Sequence, residues 1–165
     1  MEKFKRVGLI VFILIMTVGC DQFSKKMAES NLSSSGNISY LGDTFRFQYI
    51  KNNGAFLSMG SAWPNMVKFS LLNVMPLVIL TGLFVYLLKS EKIENFSFIA
   101  MSLILGGGIS NLWDRLFNDG WVVDFMNIGI GNIRTGIFNF ADVFILSGFA
   151  LLFLSLLKNK HKQQD

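Results

Sequence analysis

The sequence predicts an all-α membrane protein, four transmembrane helices with a small β-rich segment outside the bilayer. Three observations predict it. Of 165 residues, 52% are hydrophobic and only 16% charged, whereas about 25% are charged in an ordinary soluble chain. Four uncharged apolar runs are set apart by charged residues. Between the first two lies the one segment in which apolar and polar residues alternate singly. Seventeen Phe, eight Met and two Pro suit long apolar helices and argue against disorder.

The first run, 7–20, lies between Arg6 and Asp21, and the second, 69–88, between Lys68 and Lys89. The third, 95–113, is bounded by Glu94 and Asp114, and the fourth, 143–157, by Asp142 and Lys158. A helix needs about 20 residues to cross a hydrocarbon core of about 30 Å. The middle two runs suffice alone. The outer two reach only about 21–23 Å and must recruit flanking polar residues, which draws Asp21 and Asp142 to the membrane boundary. Spans are therefore expected at about 5–23, 67–88, 95–113 and 138–157, in a single integral membrane domain over 1–165. The first run also resembles a cleaved lipoprotein leader ending in Thr17-Val18-Gly19-Cys20. Thr stands where Leu is usual, and three more spans follow, so retention is expected.

Segment 38–50 is the β signal: Phe45, Phe47 and Tyr49 alternate with Thr44, Arg46 and Gln48. Such a ribbon could lie on lipid headgroups, hold an extended peptide by strand addition, or cap the helices. Ser33-Ser34-Ser35-Gly36 reads as a turn or a mobile tip.

Orientation follows from the cations. Lys3, Lys5 and Arg6, then Lys89 and Lys92, then Lys158, Lys160 and Lys162 all fall on one side of a four-span chain. The positive-inside rule makes that side, with both termini, cytoplasmic. Segments 24–66 and 114–137 then face out. The cytoplasmic side sets eight Lys and Arg against Glu2, Glu91, Glu94 and Asp165, while the outer side balances. The net charge of +4 is thus an orientation signal, and no nucleic-acid partner is expected.

One Cys, Cys20, and one His, His161, exclude an internal disulfide and most zinc and Ser-His-Asp chemistry. The remaining candidates gather at the outer face. Asp21 and Lys25 follow span one; Asn52 and Gly54 lie in the first outer segment; Gly108, Asn111, Asp114 and Arg115 close span three. Asp124 lies in the second outer segment, and Asn139 and Asp142 open span four. Gly108, Asn111 and Arg115 share a helix face, the glycine allowing a close neighbour. Taken singly, Asn111, Arg115 and Asn139 could merely bond helix ends, with Arg115 paired to Asp114. Asp124 and Asp142, bordered by Val, Phe and Ala, lack an adjacent cation. Brought close, they could not both ionise cheaply and would share a proton. One would then take a proton from water while the other protonates a carbonyl, which is aspartic-protease chemistry. A zinc protease would need His-Glu-x-x-His. A Ser24–Lys25 dyad suffers because adjacent helical residues diverge.

With these residues the chain resembles lipoprotein signal peptidase, the signal peptidase II family of bacterial membrane aspartic proteases. The motifs are Asp21-Gln22-Phe23-Ser24-Lys25, Asn52-Asn53-Gly54-Ala55, and Gly107-Gly108 through Asn111 to Asp114-Arg115. Val122-Val123-Asp124-Phe125 and Phe138-Asn139-Phe140-Ala141-Asp142 complete them. The resemblance implies a catalytic dyad of Asp124 and Asp142, with Asn52, Asn111, Arg115 and Asn139 orienting dyad and substrate. It makes Asp21 and Lys25 supporting residues at the outer rim, and Gly54, Gly108 and Asp114 further supports. It implies an extracytoplasmic β-rich cradle, no metal and no cofactor. The partners implied are diacylated prolipoproteins, cut just before the lipidated Cys, and membrane lipid; a monomer in the bacterial inner membrane is expected. Phe56 departs from the family's usual Ala and bears on substrate range. Two other readings stand beside this one. A small ion-coupled transporter is disfavoured because no ionisable site lies near the bilayer midplane. A non-catalytic or specialised lipoprotein-binding relative would keep the same residues.

Overall fold

The structure, a computed structural model, describes residues 3–34, 36–55, 59–90 and 93–161. Phe56 lies outside the described residues. Four helices are long and apolar enough to cross a membrane. The first is α1 (Lys3–Leu32). The second runs unbroken over Asn65–Lys89 as α2 (Asn65–Phe69), a π-helical turn (Ser70–Val74) and α3 (Met75–Lys89). The third and fourth are α4 (Asn95–Phe117) and α5 (Phe140–His161). The π turn precedes Pro76, which has no N–H and whose ring crowds the carbonyl a turn earlier; a widened turn relieves both.

Helix α4 is the hub. Half of its most apolar stretch is buried inside the protein, against at most 17% in the other three spans. Three consecutive glycines make this possible. A Cβ on Gly106 would collide with Thr17 of α1, one on Gly107 with Ala141 and Ile145 of α5, and one on Gly108 with Leu80 of α3. Successive residues turn by about 100° around a helix, so three small residues in a row open three faces to three neighbours. Ile10, Leu80, Leu87, Phe98, Leu105 and Leu112 fill the core between them. At one end Arg6 is buried, donating to the Leu87 carbonyl at 3.1 Å with its guanidinium over the Phe98 ring.

Helix α1 does not stop near residue 23. At 30 residues it is about 45 Å long, well beyond the hydrocarbon thickness. Tertiary packing carries it on: Lys25 is drawn into the bundle, and Ala28 and Leu32 are buried against a sheet.

That sheet has four antiparallel strands in the order β1-β2-β3-β4: β1 (Ile38–Tyr40), β2 (Phe45–Asn52), β3 (Val122–Ile130) and β4 (Ile133–Arg134). The alternation read in segment 38–50 is realised. Phe45, Phe47 and Tyr49 pack on Ala28 and Leu32, together with Phe125 and Met126. The sheet therefore caps the end of α1 with its aromatic face and leaves its polar face free. Strands β3 and β4 are the additions, since the second outer segment gave no β signal of its own.

Candidate active site

Asp124 is aimed by two irregularities in the sheet. On β2 the register slips between Phe47, opposite Met126, and Ile50, opposite Asp124, which inserts one extra residue. On β3 the amides of Phe125 and Met126 both donate to the Phe138 carbonyl, at 3.1 and 2.9 Å. Two residues facing one is a β-bulge, and both side chains enter the aromatic cluster. Asp124, just before it, turns to the opposite face beside Ile50, Gln48 and Arg46.

Asp142 is placed by a helix start. The Asn139 side-chain oxygen accepts the Asp142 amide at 3.0 Å, and the Asp142 carboxylate accepts the Asn139 amide at 3.1 Å. This reciprocal pair three residues apart is a capping box with Asp in the Glu position. It sets Asp142 in the first turn of α5, where the helix dipole favours negative charge.

Asn139 joins the two carboxylates. Its side-chain amide donates to Asp124 Oδ1 at 2.7 Å while its backbone amide holds Asp142. Asn52 donates to the other Asp124 oxygen at 2.8 Å, its own oxygen accepting the Gly54 amide at 2.8 Å. Asn111 donates to Asp142 Oδ1 at 3.0 Å. Arg115 reaches the Gly54 carbonyl at 2.9 Å, fastening the β2 exit to α4. Burial pushes the Asp124 carboxyl up to about 7; the Asn52 and Asn139 donors and Lys25 oppose this, and the Asp142 charge reinforces it.

The structure corrects two expectations. Asp21 and Lys25 are not rim residues: both are buried, Lys25 Nζ lying 2.6 Å from Asp21 and 2.7 Å from Asp114. Asp114 therefore pairs with Lys25, and Arg115 reaches Gly54, so the alternative in which Arg115 merely pairs with Asp114 is not realised. Nor does the dyad lack a cation, because Lys25 also donates to Asn111 Oδ1 at 3.0 Å, one residue away from Asp142. The polypeptide puts an ammonium there because α1 continues past the expected span. Gly108 serves packing against Leu80 and lines a cavity with Asn111 and Arg115.

Two members of the network were missed. Ser110 donates to Asp21 at 2.7 Å, and Gln22 donates to Ser110 at 3.0 Å and Asp114 at 2.7 Å. The i,i+4 spacings of Asp21 with Lys25 and of Ser110 with Asp114 were the available signal.

The dyad stands between two cavities of different chemistry, each of about 420 Å³. One has Asp142 at its edge and Leu71, Leu72, Met75, Ile145 and Phe149 among its walls, between the second and fourth spans. The other has Asp124 at its edge and lies on the polar face of the sheet. Among the described residues, no three His, Cys, Asp or Glu are gathered so as to hold a metal ion.

Residues 13–158 match the family described as Signal peptidase (SPase) II. The lipoprotein signal peptidase of Borrelia hermsii is 34% identical over 99% of this chain and 98% of its own. That of Francisella tularensis subsp. novicida is 33% identical over 95% and 97%. A solved bacterial membrane enzyme is 25% identical and superposes with a TM-score of 0.80, covering 93% of this chain and 90% of its own. The matched stretch holds every residue of the two-carboxylate site from Asp21 to Asp142, and with it the chain belongs to the signal peptidase II family.

Proposed function

We propose that the chain is an aspartic endopeptidase in which Asp124 and Asp142 activate water. It removes signal peptides from diacylglyceryl-modified prolipoproteins by cutting before the lipidated Cys. The observation that carries the reading is the joining of two carboxylates through Asn139 at the meeting of an apolar and a polar cavity. A lipobox substrate has the same division, with an apolar signal sequence on one side of the scissile bond and an emerging chain on the other. The chemistry balances without an outside reagent. The ionised carboxylate takes a proton from water, and the oxygen attacks the scissile carbonyl, whose own oxygen receives the proton held by the other carboxylate. The tetrahedral adduct collapses as the leaving amine of the Cys is protonated, and the shared proton returns to the pair. Asn52, Asn111 and Asn139 hold the carboxylate oxygens, and Arg115 and Gly54 shape the wall where the substrate backbone lies.

The cation distribution supports an inner-membrane protein with both termini cytoplasmic and the dyad at the outer face. The test is Asp124→Asn and Asp142→Asn, each assayed on a diacylated prolipoprotein in detergent. Each is expected to lose at least about 10³-fold in rate, because the pair acts as a unit. Cleavage by either variant at the wild-type rate would overturn the dyad. A wild type that binds the substrate without cutting it would establish the non-catalytic reading instead.

A further inference from the structure

The cavity on the polar face of the sheet is not explained by a pair of carboxylates that activate water. It opens beside Asp124 and is lined by Arg46, Gln48, Asn127, Arg134 and Thr135. Its charge is one-sided. Arg46 and Arg134 stand on it, and among the described residues the only acid in its lining is Asp124, whose carboxyl burial favours in the neutral form. Asp43 is the counter-charge just outside the lining, ion-paired to Arg46 and 3.6 Å from Arg134. Arg46 and the Ser39 hydroxyl hold its carboxyl well below the usual carboxylate range, so it stays ionised. Two guanidiniums thus share one full negative charge. Arg134 is further committed, donating to Asn127 at 2.5 Å and to the Asp43 carbonyl at 2.8 Å. Its second terminal nitrogen, Nη2, is buried and has no hydrogen-bond partner among the described residues. A buried donor without an acceptor is costly, and an incoming acceptor relieves that cost.

The location decides what could supply that acceptor. Arg46 lies opposite Asn127, three residues along β3 from Asp124. At about 3.3 Å per residue that is about 10 Å, the reach of about three residues of extended peptide. The apolar cavity on the Asp142 side suits the part of the substrate that stays in the membrane, leaving the polar cavity for the part that leaves it.

We infer that this cavity binds the stretch of prolipoprotein just after the scissile bond and selects a carboxylate side chain at the second to fourth residue of the product. The inference rests on the peptidase reading above and adds a specificity to it. Arg46 and Arg134 are then specificity residues, making charge-assisted bonds to an Asp or Glu, whereas a Lys or Arg in the substrate meets like charge.

The experiment uses three diacylated prolipoproteins that differ only at the third residue after the cut: Glu, Ser or Lys. Cleavage by the full-length protein is compared as kcat/KM in one detergent at low ionic strength. Glu is expected to exceed Lys by about 10-fold, with Ser between, and the ratio to shrink as salt screens the half-exposed Arg46. Arg46→Gln is expected to bring the ratio to about 2-fold or less. Asp43→Asn works in the opposite direction. It removes the counter-charge at a left-handed backbone position that Asn tolerates, and it should raise the Glu-to-Lys ratio above wild type. Equal cleavage of Glu and Lys substrates by wild type, or a ratio unchanged in both variants, overturns the selectivity while leaving the peptidase reading intact. Failure to cut any of the three overturns the peptidase reading and this one with it.

Discussion

Lys25 is the residue on which the buried polar network turns. A single ammonium, nearly inaccessible, meets two carboxylates, Asp21 and Asp114, and the oxygen of Asn111. Asp21 in turn accepts the Ala141 amide at 2.8 Å, next to Asp142, so three helices meet on this charge cluster. Removing one member of a buried ion pair leaves an uncompensated charge and costs about 3–5 kcal/mol. Lys25→Met is therefore expected to lower thermal stability in detergent sharply. Adding Asp21→Asn should restore part of it, because one of the stranded carboxylates becomes neutral; strictly additive losses would contradict this account. Asn52 supports a prediction of another kind. Its donor favours the charged form of Asp124, opposing the burial that pushes that carboxyl up to about 7. A dyad that must keep one proton loses activity as pH rises through its upper apparent pKa. Deleting the donor makes ionisation harder, so Asn52→Ala should move the alkaline limb of kcat/KM to higher pH, with a lower plateau. A limb that stays put, or moves down, would mean that Asn52 does not act on the proton.

Helix α4 does at the element scale what Lys25 does at the residue scale. Its three glycines let α1, α5 and α3 close in, and the Gly107 contact falls on Ala141 and Ile145, which flank Asp142. A methyl there would push α5 away by its backbone. Overpacking costs about 1–3 kcal/mol, and displacing a catalytic group by about 1 Å can cost about 10²-fold in rate. Gly107→Ala is thus expected to lose activity out of proportion to stability. Gly82→Ala, with none of the described residues within 4 Å of its added methyl, should change neither. The same comparison explains what the residues disclosed beforehand. The spans were legible because length and charge alone define them, and Asp124 and Asp142 because carboxylates among apolar neighbours stand out. Strand β3 was hidden because the Phe125–Met126 bulge breaks the alternation by which strands are recognised, and six successive buried residues, Val122 through Asn127, carry no period. The depth of Asp21 and Lys25 was hidden because it depends on helix packing between residues about ninety positions apart. Arg134 gave no local sign, since its partners Asn127 and Asp43 are assembled by the sheet.

For the molecule as a whole, the two-cavity site works only if the bilayer meets it from one side. On the proposed orientation the Asp142 cavity opens toward lipid and the Asp124 cavity toward the outer aqueous face, with both termini cytoplasmic. Helix α1 is integral to this arrangement: Ile10 lies in the core and Thr17 against Gly106, so loss of residues 1–19 would unseat α4. A variant lacking residues 1–19 is accordingly expected to lose thermal stability in detergent, and one as stable as the full-length protein would contradict this. The orientation can be read from thiols. Cys20 is the only cysteine and its side chain is exposed on α1, so Cys20→Ser disturbs no buried contact. In that background, Ser61→Cys between β2 and α2 should react with a membrane-impermeant maleimide added to whole cells. Gln163→Cys, in the basic C-terminal tail, should react only after lysis. The reverse pattern would put the dyad on the cytoplasmic side and overturn the proposed orientation.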